Sequence, residues 1–152
     1  MKYKSSTGFS LVELLVTVAI IGILSSIGIL SYNSYVTSSK KSSAENTIQQ
    51  IALANLEYYS NRNEYYVTDN GNSCTASTAK SVEIENALFD RDNTLPDNID
   101  FEFCIFGSGA TFTIQANHMK SSCMITLVRN GAPSRNTDCY VSYYPKMNSL
   151  LL

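Results

Sequence analysis

The sequence predicts an α+β chain: one long N-terminal α-helix packed on a small antiparallel β-sheet of three or four strands. Three observations predict it. Residues 9–30 are an apolar run holding one charge, Glu13, and the next charged residue is Lys40. Across residues 44–59 apolar side chains recur at three- and four-residue spacing, the period of a helix with one covered face. After Asp100 the pattern becomes alternation of apolar and polar residues broken by glycine turns, the signature of strands.

Taken in order, residues 1–8 form a short polar leader holding Lys2 and Lys4, which stays outside the fold. At ~1.5 Å per residue, a helix over residues 9–30 is about 33 Å long, enough to cross a bilayer core of ~30 Å. A secretory signal or a plain anchor is the ordinary reading of such a run. A signal, however, ends in small residues suited to cleavage. Ser31, Tyr32, Asn33 and Ser34 offer no such site, and the helical pattern continues through them. Glu13 also needs explaining, since an ionisable group inside a membrane costs roughly 2.5–3.5 kcal/mol on insertion scales. No Lys or Arg on the same helix lies within its reach, so its partner must be another molecule or a chain terminus.

Residues 31–43 continue the helix as a polar neck in which Lys40 and Lys41 read as a solvated face. Gly22 and Gly28 weaken the helix by up to about 1 kcal/mol each. The covered stripe is expected at Ala44, Ile48, Ile51, Ala52, Leu56 and Tyr59, with the helix ending near residues 60–63. Tyr58, Tyr59, Tyr65 and Tyr66 gather there, either plugging the junction of helix and sheet or offering a stacking platform to a ligand or another subunit. Residues 62–100 are turn-rich, with a short helix at residues 81–88. Asp90, Asp92, Asp97 and Asp100 lack the spacing and closing glutamate of a calcium loop, so they read as a solvated acidic segment. Strands follow at residues 101–106, 111–116 and 123–128, separated by Gly107-Ser108-Gly109 and closed by Asn130-Gly131; residues 139–144 supply a last edge strand. The amphipathic stripe then covers the sheet's apolar face.

Composition narrows the function. A net charge of −2 gives no basic surplus for a general nucleic-acid surface. The cysteines Cys74, Cys104, Cys123 and Cys139 include no C-x-x-C pair, and His118 is the only histidine, so a zinc site lacks its usual ligands and disulfides are favoured. Four cysteines allow three pairings. No nucleophile elbow or phosphate loop is present, so no enzyme, metal or cofactor is expected.

At Gly8-Phe9-Ser10-Leu11-Val12-Glu13-Leu14 and the apolar helix after it, the chain resembles the type IV pilin family. The resemblance implies that a prepilin peptidase cuts after Gly8 and that Phe9 becomes an N-methylated terminus. It also implies that Glu13 meets the terminal amine of a neighbouring subunit in a filament. The division it implies is a leader at residues 1–8, a helix at residues 9–60 whose part 9–30 is the transmembrane and filament-core segment, and a globular head at residues 61–152. The chain would sit as a single-pass protein of the bacterial inner membrane, head in the periplasm, before an assembly platform moves it into an extracellular pilus of pilin subunits. Pilins commonly close their last loop with a disulfide, which favours Cys123 with Cys139, tying that loop to the sheet, and leaves Cys74 with Cys104. Many pilins carry a proline near the end of the apolar stretch; Leu30 stands there instead, so any kink would arise at Gly28.

A second resemblance, to minor pilins, covers residues 32–66 and a C-x-I-T-L-x-x-N-G strand and turn, here Cys123 to Gly131, before Asp138-Cys139. Its implied roles are pilus assembly, adhesion, twitching motility or DNA uptake. Three alternatives stand beside it: a major pilin, a type II secretion pseudopilin, and a tip DNA receptor or adhesin. For DNA, Arg129, Arg135 and Lys146 are the candidate phosphate contacts.

Overall fold

The structure is a computed structural model; it describes residues 8–90, 94–108 and 110–140, without the side chains of residues 27–31. Helix α1, Leu11–Arg62, is continuous. The chain forms two compact units, Met1–Thr37 and Ser38–Leu152, so the first belongs to the start of α1 and the second holds the rest of α1 and the sheet. In the first unit apolar side chains from Phe9 to Leu24 are at least half exposed. None of its described residues is buried.

The second unit is a five-stranded sheet in the order β1-β2-β3-β4-β5. Three long strands, β2 (Phe101–Ser108), β3 (Thr111–His118) and β4 (Met124–Val128), make an antiparallel meander. Two-residue strands flank them: β1 (Asp69–Asn70) runs parallel to β2, and β5 (Ser134–Arg135) runs antiparallel to β4. β5 is the last strand among the described residues, and the expected strand at residues 139–144 does not begin at Cys139. Thr137–Cys139 is a 3-10 turn, and residues 141–144 lie outside the described residues.

Alternation decides which side chains meet α1. Phe101, Phe103 and Ile105 of β2, Phe112, Ile114 and Ala116 of β3, and Ile125 and Leu127 of β4 form one buried cluster with Ala44, Ile48 and Ile51. The opposite face is covered too. Cys104 is fully buried there by its bond to Cys74, and Gln115 donates to the Cys74 carbonyl at 3.4 Å.

The buried stripe on α1 departs from the expected one. Thr47 and Asn55 are buried, while Leu56 and Tyr59 remain 41% and 37% exposed. Asn55 turns inward because its side chain satisfies the backbone of the returning chain: its Nδ2 donates to the Tyr66 carbonyl at 3.1 Å, and its Oδ1 accepts from the Tyr66 N–H at 2.8 Å. Tyr65 is the plug at the junction, stacked on Tyr59 at 4.4 Å and set against Phe112 at 4.9 Å.

The outer edge of β2 is closed by side chains. Thr68 donates its N–H to the Ile105 carbonyl and accepts the Ile105 N–H on its hydroxyl, while the Phe103 N–H goes to the Ser81 hydroxyl. Ser81 lies on helix α2, Thr78–Ile84, which is capped by Ser77 and runs into a π-helical turn, Glu85–Phe89. Buried Glu85 accepts the Leu95 N–H at 2.6 Å and so anchors the loop beyond.

Candidate assembly site

The start of α1 is built from four residues, Ser10-Leu11-Val12-Glu13. Ser10 precedes the first helical residue, and its hydroxyl accepts the Glu13 N–H at 3.2 Å. In return the Glu13 carboxylate accepts the Ser10 N–H through Oε2 at 2.9 Å. This reciprocal capping box satisfies two backbone donors that a helix start leaves without partners. The carboxylate of Glu13 is thereby folded back toward Phe9 and Gly8. Among the described residues no Lys or Arg pairs with it, and Phe9 beside it is 82% exposed. Ser10 was not among the expected site residues; its signal was the S-x-x-E spacing itself.

Glu13 stands at the head of a helical stretch that is apolar on all sides, from Leu11, Val12, Leu14 and Leu15 on to Leu24. Among the described residues no helix is long and apolar enough to cross a membrane; described side chains of the run stop at Ser26 and resume at Tyr32. α1 shows helical backbone through Gly28.

The two described cations of the expected DNA patch serve different partners. Arg135 grips Glu45 on α1 in a two-pronged pair, Nε to Oε1 at 2.6 Å and Nη2 to Oε2 at 2.8 Å, and this carboxylate raises its pKa further. Arg129 donates to the Ala110 carbonyl at 3.0 Å and lies 5.0 Å from the Tyr65 ring centre. Arg135 pairs opposite Ile125, so Arg129 is four strand positions away, about 13 Å at ~3.3 Å per residue. Lys146 lies outside the described residues.

The other candidates are likewise dispersed. Cys74 is bonded to Cys104 and Cys123 to Cys139. Asp100 is ion-paired with Lys40 and Lys120 rather than free in a solvated loop; Asp92 lies outside the described residues. No group of side chains suited to a metal ion occurs among the described residues. His118 accepts the Lys120 N–H through Nδ1 at 3.1 Å and stands edge-on to Phe101; burial lowers its pKa. Lys41 donates to the Cys139 carbonyl, completing a set of contacts from residues 40–45 of α1 to Asp100 just before β2, to β5 and to the closing disulfide.

Residues 3–29 match the family described as the prokaryotic N-terminal methylation motif. The chain is 35% identical over 78 residues to a fimbrial protein of Neisseria meningitidis serogroup B, covering 51% of this chain and 44% of that one. It is also 35% identical over 81 residues to fimbrial protein EcpC of Eikenella corrodens, covering 53% and 52%. A fimbrial protein of Neisseria meningitidis serogroup A is 30% identical over 87 residues, covering 53% and 51%. The chain thus spans about half the length of the curated relatives it matches. No solved structure matches it. With a sheet covered by the second half of α1, the chain carries at the head of that helix the N-terminal methylation motif of prokaryotic pilins and is similar over about half its length to fimbrial proteins.

Proposed function

We propose that this chain is a minor pilin, a structural subunit of a type IV pilus whose work is assembly rather than catalysis. A prepilin peptidase cuts after Gly8, and Phe9 becomes the methylated terminus. Residues 9–30 hold the subunit in the inner membrane with its head in the periplasm. An assembly platform then transfers it into an extracellular filament beside other pilin subunits, where apolar helices bundle. Moving apolar surface from lipid to a helix bundle gains little by itself, because one apolar environment replaces another. The preference for the filament therefore rests on packing and on charge.

The observation that carries this reading is the carboxylate of Glu13, capped by Ser10 at the head of an exposed apolar helix. The cap occupies Oε2 and leaves Oε1 for a cation. A neighbour's terminal amine, itself costly in an apolar core, meets that need.

Glu13→Ala strands that amine. Breaking one half of a buried pair costs ~3 kcal/mol or more, so pilus number should fall by about a hundredfold. Counting filaments by electron microscopy reads this, and ordinary numbers would refute the pairing. Mass spectrometry of sheared filaments should find the chain beginning at methylated Phe9 and as a trace component. A native product beginning at Met1 overturns the processing, and a preparation dominated by this chain makes it the major pilin.

A further inference from the structure

We propose that Tyr32 and Tyr35 anchor the first unit at the outer boundary of the membrane, their rings among phospholipid glycerol and headgroups. The inference rests on the membrane reading given above. Both residues follow the apolar run directly and lie three positions apart, hence on one side of α1. They are 68% and 73% exposed, and neither has a hydrogen bond or ring contact among the described residues.

Their depth follows from helix length. With Phe9 at the inner edge of the hydrocarbon, Tyr32 lies ~35 Å along the helix and Tyr35 ~39 Å at 1.5 Å per residue. A tilt of ~20° brings these to about 32 and 37 Å. The headgroups add ~5–7 Å beyond each side of a ~30 Å hydrocarbon core, so Tyr32 falls within the outer headgroup layer and Tyr35 at its outer rim. An apolar ring with a polar tip is most stable in that layer. Asn33 and Ser34 between them are polar enough for it and would be misplaced deeper. Lys40, the first charge, lies five residues further on.

The test uses the full-length mature chain in phosphatidylethanolamine–phosphatidylglycerol vesicles. The chain contains no tryptophan, so Tyr32→Trp and, as a mid-membrane reference, Val18→Trp each introduce one emitter. Lipids brominated near the headgroup should quench Tyr32→Trp about twofold more than lipids brominated near the acyl terminus, with the reverse order for Val18→Trp. If Val18→Trp is quenched and Tyr32→Trp is not, the anchor is refuted. Red-shifted emission then places residue 32 in water, and blue-shifted emission places it against another copy of the chain. If neither is quenched, the membrane reading itself fails.

Discussion

Asn55 is the residue whose loss the head should feel most relative to its size. Fully buried, it holds both the N–H and the carbonyl of Tyr66, so Asn55→Ala strands two backbone groups. Each such group costs about 1–3 kcal/mol, which predicts a loss of about 2–4 kcal/mol in urea unfolding of the detergent-solubilised chain. Asn55→Asp keeps the acceptor but sets a carboxylate oxygen against the Tyr66 carbonyl, and should recover little. Asp100 contributes to the acid pH response. The hydrogen bond from Lys40, then that from Lys120, brings its pKa from 3.8 down to about 2. Because the folded value is depressed, its contribution is complete above the unfolded value of 3.8 and vanishes as pH falls through about 2. Stability should therefore decline across that acid window. Asp100→Asn should flatten the decline, and an unchanged slope would show that these lysines do not hold the carboxylate.

Among the elements, the β2–β3 hairpin has at Gly107 a position that only glycine fits. Gly107 has φ +150°, and a Cβ there would stand 2.3 Å from the Thr111 carbonyl oxygen and 3.0 Å from the Phe112 Cα. Backbone cannot yield as a flexible side chain would, so Gly107→Ala should cost ~2 kcal/mol or more and splay the hairpin. Hydrogen exchange at the amides of Phe106 and Thr113, which face each other across the hairpin, would rise if so. The three long strands of this sheet were legible because each repeats its alternation over five to eight residues. β1 and β5 were not, since two residues carry no period and their pairing is set by contacts of Thr68 and Arg135 distant in sequence. The helix stripe was read correctly at Ala44, Ile48 and Ile51 but drifted at Leu56 and Tyr59. An asparagine looks polar from sequence, and only the return of Tyr66 makes it an inward residue. Glu13 was visible as an anomaly in an apolar run. Its cap on Ser10 was equally visible as a spacing, yet a search for a distant cation passes over a local partner.

At the scale of the whole second unit, the two disulfides should differ in weight. Cys123–Cys139 closes a loop across a sequence separation of 16, and Cys74–Cys104 one across 30. Chain entropy alone assigns about 3 kcal/mol to the first and nearly 4 kcal/mol to the second. Other contacts hold both loops, so the entropy difference decides the order. Around the first, Asn136 accepts the Met124 N–H at 3.0 Å and donates to the Ser122 carbonyl at 2.8 Å, while Lys41 and Arg135 tie the same loop to α1. Around the second, Gln115 reaches the Cys74 carbonyl at 3.4 Å, Thr78 donates to Glu102 at 2.6 Å, Ser81 accepts the Phe103 N–H at 2.9 Å, and Ile84, Leu95 and Ile99 are buried. Opening Cys74–Cys104 also loosens cover on the outer face of the sheet, where Cys104 and Gln115 are buried. Cys74→Ser with Cys104→Ser should lower the urea midpoint more than Cys123→Ser with Cys139→Ser, the latter leaving a head that still folds. The reverse order would mean that closure of the last loop by Cys123 and Cys139, rather than cover on the sheet's outer face, limits the stability of the head.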